Sequence, residues 1–122
     1  MKALVVDDSR AMRMMLSNML KELGFEVDQA QHGKEGVDYL TSHPDTRLAL
    51  VDWNMPEMNG FEMVQAVRSN TGLDNVRLMM VTTESEIARV EAALSAGANE
   101  YVMKPFTKDI IADKLRLLDI SL

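Results

Sequence analysis

The chain reads as an α/β protein, five strand-helix units forming one doubly wound parallel sheet with helices on both faces. Three observations point there: short apolar runs stop abruptly at polar residues, helical stripes lie between them, and the connections are short. Apolar runs without alternation belong to strands buried on both faces, the condition of a parallel sheet. Strict alternation of the two element types calls for right-handed crossovers and helices on either side.

The first strand is Ala3-Leu4-Val5-Val6, which halts at Asp7-Asp8. Met12, Met15, Leu16, Met19, Leu20 and Leu23 follow at helical spacing, and Gly24 supplies a stop. Glu26 to Ala30 alternates weakly, as an edge strand does. Lys34 to Leu40 forms a shorter helix, weakened at Gly36 by about 1 kcal/mol relative to alanine. Leu48-Ala49-Leu50-Val51 ends at Asp52, and Phe61, Val64 and Val67 mark the helix after Gly60. Leu78-Met79-Met80-Val81 ends at Thr82-Thr83, and Ile87, Val90 and Leu94 precede Gly97. Glu100-Tyr101-Val102-Met103 ends at Lys104-Pro105, and Ile111, Leu115 and Leu118 close the chain. The methionine-rich stripe of the first helix is read as core filler, and His32 and His43 as solvated loop residues.

At 122 residues the chain is expected to be one domain, residues 1–122. It contains no cysteine, which excludes disulfides, cysteine-ligated zinc and thiol nucleophiles. No apolar run approaches the ~20 residues of a membrane span, so a cytoplasmic location is expected. A net charge of −6, with 13 scattered basic residues, argues against nucleic acid as the main partner.

Polar residues collect at one end of the strands. Asp7 and Asp8 end the first, Asp52 the third, Thr82 the fourth and Lys104 the fifth. Ligands of doubly wound sheets bind outside these carboxyl ends, where the strand order reverses. In a sheet ordered 2-1-3-4-5 that point lies between the first and third strands, and three carboxylates converge there. Acids so placed repel one another unless a cation intervenes. An open cleft with few protein ligands favours Mg2+, which shares its remaining positions with a phosphate. A lysine and a hydroxyl suit phosphoryl oxygens, and the set is what phosphoryl transfer to a carboxylate requires. Taken singly, an Asp-Asp pair, a Lys-Pro or a Thr-Thr is more often a turn or a helix cap. Their coincidence at the same end of four strands changes the reading.

The motifs Val5-Val6-Asp7-Asp8-Ser9, Val51-Asp52-Trp53-Asn54-Met55-Pro56-x-Met58-x-Gly60, Val81-Thr82-Thr83-Glu84 and Lys104-Pro105-Phe106 occur in order. With them the chain resembles the receiver domains of two-component response regulators from Lys2 to about Leu118. The resemblance implies a flavodoxin-like (βα)5 fold; the order 2-1-3-4-5 is the family's known order, not a deduction from these residues. It implies Asp52 as phosphoacceptor and Mg2+ held by Asp8, Asp52 and the Asn54 backbone carbonyl, with Asp7 acting through a water. Thr82 and Lys104 would hold the phosphoryl group, and Tyr101 would swing inward when Thr82 moves. A cis bond is expected at Lys104-Pro105, since only X-Pro bonds keep that form within reach. Trp53, Asn54 and Glu84 are similar to the stand-alone chemotaxis branch, although Gly36, Thr83 and the Lys108-Asp109-Ile110-Ile111 stretch depart from it.

The implied partners are a sensor histidine kinase as donor, a downstream output protein or flagellar-switch-like target, and a phosphatase, with the receiver itself a monomer that catalyses only its own phosphorylation and dephosphorylation. The output face is expected on the helix after Thr82, the Tyr101 strand with Pro105, and the last helix, with Arg89, Glu91 and Lys108 exposed. Asn54 and Glu84 are expected to set the lifetime of the phosphorylated form. Met1 directly before the first strand favours a stand-alone protein over a receiver cut from a longer regulator; a phosphate sink is a further in-family reading. A small Mg2+-dependent phosphohydrolase would need a second carboxylate two residues after its nucleophile, where Asn54 stands. The phosphate-binding glycine loops of nucleotide enzymes are absent.

Overall fold

A computed structural model describes the backbone of residues 1–122 and every side chain except that of Glu84. The elements run β1 (Lys2–Val6), α1 (Arg10–Glu22), β2 (Glu26–Ala30), α2 (Gly33–Ser42), β3 (Leu48–Asp52), α3 (Gly60–Arg68), β4 (Arg77–Thr82), α4 (Val90–Ala96), β5 (Glu100–Met103) and α5 (Lys108–Leu117). Short 3-10 turns at Thr71–Leu73 and Glu84–Arg89 lead into β4 and α4. All strand pairs are parallel and the order is β2-β1-β3-β4-β5, as the resemblance implied.

The pleat divides the strand residues between two cores. Leu4, Val6, Ala49, Val51, Leu78 and Met80 pack under α2, α3 and α4 with Leu40, Met63, Val64, Val67 and Ala93. Ala3, Val5, Leu48, Leu50, Met79 and Val81 face α1 and α5, against Leu16, Leu20, Ile111 and Leu115. Each large apolar side chain buried this way contributes about 1.5–3 kcal/mol. Edge strand β2 is mostly exposed, consistent with its weak alternation. Gly36 has a packing reason: a Cβ there would lie 2.9 Å from the Met63 Cε and 3.1 Å from the Val6 Cγ2. Here glycine's propensity cost is offset by the close approach of α2 to the sheet and α3.

Two helix faces differ from the expected stripes. On α1 the buried residues are Arg13, Leu16, Ser17 and Leu20, while Met15 is 40% exposed. Arg13 displaces the methionine because its guanidinium donates to the Asp7 carbonyl at 2.8 Å and to Gln29 Oε1 at 3.2 Å, which draws its stem inward. Before α4, the 3-10 winding changes the helical phase, so Val90 and Ala93 face the core and Ile87 and Leu94 face outward. The histidines are not simply solvated. His32 caps α2 by accepting from the Glu35 N–H and lies 3.4 Å from Glu57, and His43 stacks on Tyr39. Among the described residues no helix is long and apolar enough to cross a membrane.

Candidate functional site

The chain turns from β2 and β1 toward β3, β4 and β5, so the strand order reverses between β1 and β3. The register Val6↔Val51 sets Asp7, one residue past β1, beside Asp52, the last residue of β3. The β3–α3 connection is drawn over this point. Gly60 donates its N–H to the Trp53 carbonyl at 3.0 Å, and a Cβ on it would sit 2.5 Å from the Asp52 carbonyl oxygen. Only glycine lets α3 begin so near the strand end. Asn59 and Glu62 cap that start reciprocally, each accepting from the other's backbone N–H.

Asp7, Asp8 and Asp52 each bring a carboxylate oxygen within 4.8 Å of the others. Asp7 and Asp52 are 2% and 8% exposed, whereas Asp8 faces solvent. Asp7 Oδ1 accepts from the Ser9 N–H at 2.8 Å, but its Oδ2 is buried with no partner among the described residues. Lys104 reaches in from the end of β5, with Nζ 3.4 Å from Asp52 Oδ1. These groups, with Asn54 and Thr83, line an open cleft of about 370 Å³. Burial first, and then the charge of Asp7, push the Asp52 carboxyl up to about 6 against the opposing pull of Lys104. Burial likewise raises Asp7, opposed by the Ser9 N–H.

This donor set fits a hard divalent cation. A buried carboxylate oxygen without a hydrogen-bond partner is costly, and Asp7 Oδ2 is such an atom at the centre of three acids. One cation, reaching that oxygen through a bound water, would satisfy it and remove the mutual repulsion. The ligands are all oxygen and few, and the cleft is open to solvent, which matches Mg2+ better than a transition metal.

Residues 3–116 match the protein family described as response regulator receiver domain. The chain belongs to that family. It is 45% identical to the chemotaxis protein CheY1 of Helicobacter pylori over 119 residues, 97% of this chain and 96% of that protein. It is 47% identical to the CheY homolog of Campylobacter jejuni over 116 residues, 94% of this chain and 89% of that one. Among solved structures, CheY4 of Vibrio cholerae superposes with a TM-score of 0.86 at 33% identity, over 95% of this chain and 96% of that one. The receiver is therefore a CheY-like signalling domain with a phosphoacceptor role in two-component systems, not a metabolic enzyme.

Other expected residues stand less simply. Thr82 ends β4 in the register just past Asp52, yet it is fully buried and its hydroxyl donates to the Thr83 carbonyl at 3.2 Å. Thr83, not Thr82, lines the cleft of this receiver. Tyr101 is half-buried on β5, with the Lys114 ammonium 4.5 Å from its ring centroid and that same ammonium 3.2 Å from Glu100. The Lys104–Pro105 bond is cis, and Pro105 is exposed. Arg89 and Glu91 are exposed as expected, but Lys108 is only half-exposed, because it is tied to Glu22 on α1 at 2.9 Å. The Glu84 side chain lies outside the described residues.

Two residues at the site escaped the sequence reading. Arg13 clamps the carbonyl of Asp7 from behind; an arginine one position from a methionine stripe gave a weak signal. Glu86 reaches the cleft wall and accepts from Asn54 Nδ2 at 2.6 Å. The sequence did carry a sign of it, since Thr83-x-x-Glu86 has the spacing of a capping box.

Proposed function

We propose that Asp52 accepts a phosphoryl group from a phosphohistidine of a sensor histidine kinase, with Mg2+ as cofactor, and that the change redirects an output face toward a downstream protein in a chemotaxis-type pathway. The observation that carries this reading is the meeting of Asp7, Asp8 and Asp52 within 4.8 Å, with the Lys104 ammonium 3.4 Å from Asp52. A carboxylate oxygen of Asp52 forms the bond to phosphorus as the donor imidazole leaves. Bound Mg2+, held by Asp8, Asp52 and the Asn54 carbonyl, with Asp7 acting through a water, would neutralise charge on the transferring group. Lys104 pairs with a phosphoryl oxygen at the mouth of β5. Self-phosphorylation and self-dephosphorylation of this kind need no further catalytic domain.

The phosphoryl group offers new acceptors, and the Thr82 hydroxyl would give up its neighbour's carbonyl for them. Contacts made in one state alone are what shift a two-state equilibrium. Tyr101, Glu84 and Pro105 are the proposed relay to α4, β5 and α5. Ile87, Leu94, Met103 and Ile110 supply exposed apolar area there for a partner such as a flagellar-switch-like target. The same reading has the protein monomeric, cytoplasmic, and free of nucleic-acid or membrane contacts.

A longer host protein is the second reading, since the chain also superposes at 28% identity on a response regulator/GGDEF domain protein with a TM-score of 0.87, over 51% of that chain. Incubation with acetyl phosphate and Mg2+, followed by intact mass, tests the core of the proposal. One phosphoryl group is expected on the parent and none on Asp52→Asn. Equal gain by both proteins would contradict it.

A further inference from the structure

Glu86 is 8% exposed and uses both carboxylate oxygens. Oε1 accepts from the Thr83 N–H and from the Thr83 hydroxyl, each at 3.0 Å. That half is ordinary helix capping. Oε2 does something else: it crosses from the β4–α4 connection to the β3–α3 connection and accepts from Asn54 Nδ2 at 2.6 Å. A carboxylate has no hydrogen to donate, while a carboxamide has one donating and one accepting end. Glu86 therefore fixes the polarity of the Asn54 amide, with Nδ2 engaged and Oδ1, among the described residues, as the free end. Asn54 stands two residues past Asp52 and lines the same cleft.

We propose that Glu86 is a positioning residue for the hydrolytic reset of this receiver: by holding Nδ2, it makes Asn54 present a hydrogen-bond acceptor to the water that attacks a phosphoryl group on Asp52. The inference rests on the phosphoacceptor reading of Asp52. In the step, the water oxygen bonds to phosphorus as the bond from phosphorus to the Asp52 carboxylate oxygen breaks. That electron pair leaves with Asp52, which returns as a carboxylate, and both water hydrogens depart on orthophosphate. An acceptor beside the water takes one of its O–H groups and leaves a lone pair free to face phosphorus. A donor at the same place would take one of the two lone pairs and leave neither O–H group anchored to aim the other. The polarity of one amide thus decides how well the water is aimed.

Glu86→Gln isolates this effect, because glutamine also serves in a capping box and keeps an oxygen for Thr83. It must then offer its NH2 to Asn54, which turns its oxygen toward Gln and its own NH2 toward the cleft. The readout is the first-order decay of the phosphorylated protein after acetyl phosphate is removed, in the presence of Mg2+. E86Q is expected to slow decay about fivefold, the worth of one hydrogen bond, whereas in an Asn54→Ala background the same change should move it less than about twofold. A merely structural role for Glu86 would lower the melting temperature and act equally in both backgrounds. Unchanged decay in E86Q, or the same factor with and without Asn54, overturns the proposal. Absence of any mass gain in the parent instead overturns the phosphoacceptor reading beneath it.

Discussion

At the end of the sheet where β4 and β5 begin, Arg68 donates to the carbonyls of Leu73, Val76 and Gly97 and to Asn99 Oδ1, at 2.6 to 3.0 Å. Asn99 Oδ1 also accepts from the Leu78 N–H, so the cluster closes on itself. At the opposite end, Asp7 Oδ2 is buried without a partner among the described residues, and the Asp52 carboxyl is pushed up to about 6 by burial and by Asp7. Both ends use half-buried or buried charge. Below, four of the five guanidinium N–H groups meet acceptors inside the chain and bind α3 to the turns before β4 and β5. Above, it is left unbalanced in an open cleft. A buried charge serves stability when the chain supplies its partners, and serves recognition when a ligand must.

The largest effect should come from breaking the closed end. Arg68→Ala removes several charge-assisted bonds and leaves carbonyls unpaired, so urea unfolding should show a loss of about 3 kcal/mol, with Mg2+ affinity intact. A loss below about 1 kcal/mol would mean that the cluster is ornamental. Filling the open end should give the next effect. Mg2+ at about a hundredfold excess over its dissociation constant should stabilise the folded chain by about 2.7 kcal/mol, and Asp8→Asn should erase most of that gain. Equal stabilisation of the parent and Asp8→Asn would place the ion elsewhere.

A smaller effect follows from protonation. The Asp52 carboxyl is raised from 3.8 to about 6 on folding, so the folded chain holds this proton more tightly than the unfolded chain. Its contribution to stability is full below the unfolded value and is lost as pH rises through about 6. In metal-free buffer, Asp52→Asn should therefore flatten the melting profile across that window and raise the melting temperature by a few degrees above it. A variant profile parallel to that of the parent would show that Asp52 is not the strained acid.

Much of this contrast was legible in the sequence, and the reason is local. The strands at Ala3–Val6, Leu48–Val51 and Leu78–Val81 announce themselves because both faces are buried, and their last residues fix which acids meet. Lys104 follows from the end of β5 in the same way. What could not be read depends on rotation and rotamer. Arg13 takes an inward place beside Met12 and Met15 because the Asp7 carbonyl just past β1 and the Gln29 side-chain oxygen on β2 await it, and these are not set by spacing along α1. The outward turn of Ile87 follows from 3-10 winding, which hydrophobic spacing alone does not reveal. Thr82 sits at its expected position, yet the direction of its hydroxyl is a matter of one torsion angle.

The most direct measurement is to trap the acyl phosphate. After incubation with acetyl phosphate and Mg2+, borohydride reduction converts a phosphorylated aspartate to homoserine, and peptide mass spectrometry locates it. Conversion confined to position 52, and lost when Mg2+ is chelated, is the result expected of three acids that share one ion beside Lys104. Conversion at Asp7, Asp8 or a remote acid, or at position 52 regardless of the metal, would contradict that account.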